Sequence, residues 1–156
     1  MDGKVTWKNN LVFEGVGDSG KPIVYDSASG PERLGPGPME VVALSLAGCS
    51  AMDVISILQK KQQNVTAFEV RVHGDRAEDY PKVYTRAALE YRVAGHNVDE
   101  TAVLRAIELS VEKYCPVHAM LSQAFPIGLT YVVLEDEGNG KTRVVSEGNF
   151  MPVGEE

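Results

Sequence analysis

The run from Pro38 to about Gln62 constrains this chain more than any other segment. Its apolar residues, among them Val41, Val42, Leu44, Leu46, Val54, Ile55 and Leu58, fall on all sides of a helical axis rather than along one stripe. A helix of that kind is buried on most sides, so the rest of the chain must fold around it, and in so short a chain a second subunit is expected to complete the cover. Pro38 suits a first helical position, and Gln59-Lys60-Lys61-Gln62 closes the run with the polar, basic character a helix C-terminus favours. No apolar run is expected to reach the length of a membrane span, and no leader-like segment stands at the N-terminus.

Upstream, Lys4 to Trp7, Leu11 to Gly15 and Pro22 to Asp26 are short β-type runs, separated by Asn9-Asn10 and Gly17-Asp18-Ser19-Gly20, which are hairpin-turn chemistry. Ser27 to Pro38 reads as a long loop, because its glycines and prolines remove both order and ladder donors; Gly35 and Gly37 let it bend. Downstream, Phe68 to His73 and Tyr84 to Val93 alternate as two strands of a second hairpin. Asn97 at the N-cap with Glu100 at N3 predicts a helix from Val98 to about Lys113. A turn at Cys115, a short helix to Phe125, a last strand over Ile127 to Leu134 and a polar loop from Glu135 to Lys141 follow, and the tail carries no legible pattern. This order predicts an α+β domain whose helices pack on one face of a largely antiparallel sheet. With 156 residues, 44% of them hydrophobic, one domain buries a core without disulfide or metal staples.

The formal charge of −7 excludes nucleic acid and an anionic membrane surface as default partners. The chain reads as cytoplasmic, where its two cysteines stay reduced and a disulfide between them belongs to a redox cycle. Their wide separation lacks the clustering of a zinc site, and no metal or organic cofactor is implied. Cys115, in Tyr-Cys-Pro-Val-His, is placed to cap a helix begun by Pro116, which aims free N–H groups at its sulfur and is expected to lower its pKa. His118 follows on the same face, as a proton donor or thiolate partner on one reading and a hydrogen-bonded packing residue on the favoured one. Cys49 taken alone is a small hydrophobe of a buried helix. Asp53, one turn later, raises the pKa of a neighbouring thiol unless a cation offsets it. Trp7, Phe13, Tyr25, Tyr80, Tyr84, Tyr91 and Phe125 read as core, or as the lining of an apolar pocket. His73 and His96 read as exposed polar residues, and the loop glycines lack the partners of a phosphate-binding motif.

Gly37-Pro-Met-Glu40, Ala43-Leu-Ser-Leu-Ala-Gly-Cys49, Asp53-Val-Ile and Tyr114-Cys115-Pro-Val together resemble the OsmC/Ohr family of osmotically induced and organic-hydroperoxide-resistance proteins, and the YhfA-type branch more than its peroxidase branches. The resemblance implies a single OsmC-like domain over residues 1–156, assembled as an intertwined homodimer around the long central helix. It implies a thiol-dependent peroxidase, with Cys49 attacking an organic hydroperoxide, Cys115 resolving the sulfenic acid to a disulfide, and a thiol or dithiol reductant restoring both. The peroxidase branches also hold an arginine against the thiolate with a glutamate ten residues before the first cysteine. Here that position is Met39, Glu40 is one residue out of register, and Arg33 is the best-placed arginine. Met39 and Asp53 motivate the alternative, an OsmC-like dimeric small-molecule-binding protein with weak or no peroxidase activity; a purely structural protein with two inert thiols is a third possibility.

Overall fold

The computed structural model describes residues 1–151. The chain forms two compact units, divided between Leu44 and Ser45. In the first, β1 (Gly3–Asn9), β2 (Val12–Gly17) and β3 (Pro22–Asp26) form an antiparallel meander in that order, at the positions the turn chemistry predicts. Asn10 makes the first turn by accepting a left-handed backbone at φ 43°, which asparagine tolerates better than most residues. Every residue of β1 is exposed, Trp7 at 63% and Val5 at 64%, so Trp7 is not the core residue its type suggested. The loop after β3 has no regular structure but is tied down: the buried Asp26 carboxylate accepts N–H groups from Ala28 at 2.8 Å and Leu34 at 3.0 Å. Those bonds hold its carboxyl below the ordinary carboxylate range. Gly35 serves close approach rather than bending, since a Cβ there would lie 2.2 Å from the Val24 carbonyl oxygen.

Helix α1 (Pro38–Lys60) starts and ends close to the predicted bounds. By length and composition alone it is long and apolar enough to cross a membrane, with mean hydropathy 2.0, which corrects the expectation that no run reaches that length. In this fold it is a core helix. Its burial also corrects the sequence reading: Leu46, Ala47, Ser50, Val54 and Leu58 form one buried stripe, while Leu44 and Met52 are 52% and 69% exposed.

The second unit is a four-stranded sheet in the order β4 (Asn64–Arg76), β5 (Tyr84–His96), β6 (Ile127–Gly138), β7 (Lys141–Met151). β4 and β5 are the predicted hairpin, and β6 joins β5 in parallel, with Leu89 opposite Leu129 and Tyr91 opposite Tyr131. β6 runs four residues past Leu134, and the supposedly patternless tail supplies β7, antiparallel to it. A parallel pair needs a crossover connection, and this one holds α2 (Glu100–Leu109), a π turn (Ser110–Tyr114) and α3 (Pro116–Leu121). Asn97 does not cap α2. It sits at φ 51° in the connecting turn, and Asp99 is the cap, its carboxylate accepting the Thr101 N–H at 2.9 Å. Alternate β5 residues Ala87, Leu89, Tyr91 and Val93 pack with the α1 stripe, with Val103, Ala106 and Ile107 of α2, and with Leu129 and Val133 of β6 in one core. The other face of β4 and β5 carries the ion pairs Arg71–Glu90 and Arg92–Glu69. Tyr80, at 89% exposure, lies outside this core, whereas Tyr84 and Phe125 meet with ring centroids 5.7 Å apart.

Candidate dithiol site

The second unit brings Cys49 and Cys115 together. Both are free thiols, and their side chains lie within hydrogen-bond reach of each other. Cys49 is half-buried at the edge of the α1 stripe, one turn before Asp53; Cys115 is buried, with 2% exposure. Cys115 caps α3 as its sequence predicts, with Pro116 at the first helical position and Sγ accepting the His118 N–H at 3.3 Å. The expected activation does not follow. Burial pushes the Cys115 thiol up to about 11 against the opposing pull of the His118 N–H, and the Cys49 thiol and Asp53 carboxylate beside it push the same way. Cys115 is therefore a neutral thiol at ordinary pH, and Cys49 is the more accessible sulfur.

The crossover positions Cys115 through its π turn. The Cys115 N–H donates to the Ser110 carbonyl at 2.7 Å, five residues back, and this wider turn leaves the α register of α2 before α3 begins. Ser110, at the start of the turn, faces the core and belongs to a chain of polar groups the sequence reading did not find. Its hydroxyl lies 3.2 Å from Asp53 Oδ2 and 2.9 Å from Ser50 Oγ, and Ser50 Oγ lies 2.6 Å from the Tyr91 hydroxyl. Ser50, Ser110 and Tyr91 have no exposed surface. Uncompensated hydroxyls in such a core cost on the order of 1–3 kcal/mol each, so the chain of bonds is what permits them there. Burial pushes the Tyr91 hydroxyl up to about 12, its bond with Ser50 opposes this, and nearby negative charge on Cys115 or Asp53 adds to the rise. Asp53 itself is half-buried and lines a surface cleft of 300 Å³ with Ser56, Ile57, Lys60, Leu109 and Tyr114.

His118 is a packing residue with an unusual remainder. Its ring is buried, which holds its pKa below the ordinary histidine value against a backbone hydrogen bond at Val111, and its Nδ1 has no hydrogen-bond partner among the described residues. His73 and His96 are exposed as predicted, each beside a carboxylate, Asp75 and Glu135 respectively. Arg33 belongs to the N-terminal unit, where it is held at both edges. Its guanidinium donates to Glu40 at 2.8 Å, and its Nε donates to the Asp26 carbonyl at 3.0 Å. The carboxylate missing at Met39 is thus supplied to Arg33 one residue later, by Glu40, which also accepts the Gly37 N–H at 3.3 Å. In the same unit Val5, Leu11, Phe13, Tyr25, Val41 and Val42 line an apolar groove of 440 Å³, so Phe13 and Tyr25 do face a pocket.

The sequence profile of OsmC-like proteins matches residues 30–130. The chain is 42% identical to Protein YhfA of Escherichia coli strain K12 over 134 residues, which are 86% of this chain and 98% of that protein. A hypothetical protein from Aquifex aeolicus VF5 has a crystal structure that superposes with a TM-score of 0.76 at 30% identity, over 87% of this chain and 97% of that one. The organic hydroperoxide resistance protein OsmC from Legionella pneumophila superposes with a TM-score of 0.60 at 14% identity, over 85% of this chain and 94% of that one, a likeness of fold.

Proposed function

Because this chain belongs to the OsmC-like protein family, we propose that it is a thiol-dependent peroxidase that reduces organic hydroperoxides through Cys49 and Cys115. The observation that carries this reading is the meeting of the two thiols, one accessible and one buried. The Cys49 thiolate attacks the distal oxygen of the hydroperoxide; the O–O bond breaks, the sulfur becomes a sulfenic acid, and the alkoxide leaves as alcohol after taking a proton. Cys115 then displaces hydroxide from that sulfenic sulfur to form the disulfide, and a dithiol reductant regenerates both thiols by exchange. A neutral Cys115 suits a resolving role, because it stays protonated beside a Cys49 thiolate and does not compete for the peroxide. Arg33, oriented by Glu40, is the cation assigned to the thiolate in this reading. The working protein is a cytoplasmic homodimer of one OsmC-like domain per chain.

The test is turnover of cumene hydroperoxide with excess dithiothreitol or dihydrolipoamide. Multiple turnovers are expected for the wild type and none for Cys49→Ser, while Cys115→Ser stops after the sulfenic acid or runs only on a monothiol. Full turnover by Cys49→Ser sinks the reading. The second reading, a dimeric small-molecule-binding protein, is favoured by the Asp53 carboxylate one turn from Cys49, and it expects at most one oxidation per subunit.

A further inference from the structure

The surface cleft beside the two thiols follows one face of α1. Cys49, Asp53, Ser56 and Lys60 succeed one another at helical spacings, which at about 100° per residue keep all four within an arc of about 60°. The last three line the 300 Å³ cleft, together with Ile57 of α1 and with Leu109 and Tyr114 of the crossover. Cys49 stands one turn before Asp53, about 6 Å along the axis. It is half-buried, so its sulfur is approachable from that end of the cleft. Every one of these residues belongs to the second compact unit.

The polar groups of the cleft are sorted by charge. Toward Cys49, one oxygen of the Asp53 carboxylate accepts the Ser110 hydroxyl, and the other has no partner among the described residues. At the far end Lys60 has no carboxylate partner among the described residues, although the chain carries 22 acidic residues against 15 basic ones. Lys113 adds a second cation at Tyr114, its Nζ 5.3 Å from the centroid of that ring. Asp53 and Lys60 are about 10 Å apart along the axis, with the Ser56 hydroxyl between them and Ile57 and Leu109 offering apolar contact. A ligand that matches this order carries a positive charge close to the atom that meets Cys49 and a negative charge beyond it. A simple anion would meet Asp53 first, and a simple cation would leave Lys60 unmatched.

We propose that this cleft seats the thiol that reduces the Cys49–Cys115 disulfide, and that its ligand is a small zwitterionic thiol of the cysteinyl type, with its ammonium at Asp53, its carboxylate at Lys60 and its sulfur at Cys49. The proposal rests on the reading that Cys49 and Cys115 cycle between dithiol and disulfide, and it names the class of reductant. Cys115 is 2% exposed, so attack falls on Cys49. The ligand thiolate bonds to the Cys49 sulfur, the Cys49–Cys115 bond breaks, and Cys115 leaves as thiolate and takes a proton. A second ligand thiolate attacks the ligand sulfur of the mixed disulfide and releases the Cys49 thiolate, which is protonated in turn. The protein disulfide gains two electrons, two ligand thiols leave as one disulfide, and the two protons they gave up end on Cys49 and Cys115.

The experiment oxidises the full chain with diamide and follows reduction of its disulfide by cysteinylglycine, cysteamine, 3-mercaptopropionate and 2-mercaptoethanol, which carry both charges, the ammonium alone, the carboxylate alone and neither. Thiols differ in intrinsic reactivity, so each rate is read as the ratio of variant to wild type for the same thiol. Relative to 2-mercaptoethanol, Lys60→Glu is expected to slow cysteinylglycine and 3-mercaptopropionate about fivefold, the upper range for an exposed ion pair, and Lys60→Arg to restore them. On the same scale Asp53→Asn is expected to slow cysteinylglycine and cysteamine. Seryl-glycine, which has the charges without the sulfur, is expected to shift the amide NMR signals of Ser56 and Lys60 in the reduced wild type and not in Lys60→Glu.

Equal ratios for all four thiols in both variants overturn the proposal, because a purely structural effect slows every thiol alike. So does a seryl-glycine titration that moves neither signal. A loss confined to 3-mercaptopropionate in Lys60→Glu, with cysteamine untouched by Asp53→Asn, leaves an anion site and overturns the zwitterion. If diamide closes the disulfide while hydroperoxide is not turned over, the peroxidase reading fails on its own and the same ratios decide the cleft. If diamide closes no disulfide, the cleft falls as a reductant site together with the cycle.

Discussion

At the scale of the residue, burial sets the two sulfurs apart. The Cys115 thiol is raised to about 11, chiefly by burial, and its unfolded counterpart titrates lower. A thiol whose folded pKa is raised binds its proton more tightly in the native state, so its contribution to stability is complete below about pH 9 and is lost as pH rises toward about 11. Urea unfolding across that window is expected to show a decline that Cys115→Ala largely removes, and iodoacetamide is expected to modify Cys49 well before Cys115 at pH 8. Equal rates at the two positions would sink the assignment. Both cysteines were legible as a pair because each has distinctive neighbours in sequence. The direction of the Cys115 shift was not: the helix cap is visible in Cys-Pro-Val-His, whereas the burial that overrides it comes from distant segments. The same holds for Ser50, Ser110 and Tyr91, which meet across separations of 41 and 60 residues. Serines in a helix carry no signal of a chain until the fold brings a carboxylate to its end. Glu40 was visible, but one residue out of register; a long side chain at a helix start reaches back into the preceding loop, where that register does not decide its partner.

At the scale of the element, period and punctuation placed most of the helices and strands, and the misses have local causes. The α2 cap was assigned two residues early, because Asn97 and Glu100 match a capping box while Asp99 performs the capping. Asp99→Ala is expected to cost about 1 kcal/mol in chemical denaturation. Asn97→Gly is expected to cost nothing or to stabilise slightly, since Asn97 holds a positive φ that glycine adopts freely. A larger loss from Asn97→Gly than from Asp99→Ala would return the cap to Asn97. The π turn escaped notice because its apolar spacing continues that of α2, and only the hydrogen bond from Cys115 to Ser110 distinguishes it. β7 escaped because an edge strand with one solvated side mixes polar and apolar residues without a clear alternation. The all-round apolar character of α1 was read correctly from the sequence, but a single chain buries only one stripe of it.

At the scale of the whole molecule, that unburied surface is the strongest statement about assembly. Leu44 and Met52 on α1, and Val5, Trp7 and Leu11 in the N-terminal unit, are more than half exposed. A homodimer that covers them is expected to show twice the chain mass by light scattering at micromolar concentration, and Met52→Glu or Trp7→Glu to shift it toward the monomer. A wild-type monomer at that concentration would remove the dimer from the proposed function. The α+β class, the long central helix and the mostly antiparallel sheet were all legible, because they follow from local patterns. The parallel pairing of β5 with β6 was not, because no local pattern distinguishes it from an antiparallel return. That pairing sets the order in which the site comes into being on the ribosome. Cys49 emerges early in synthesis, and Cys115 emerges on a crossover whose core is completed only when residues 127–138 have followed and paired with β5. A nascent chain therefore carries two unacquainted sulfurs, and their meeting is completed in the last stage of its birth.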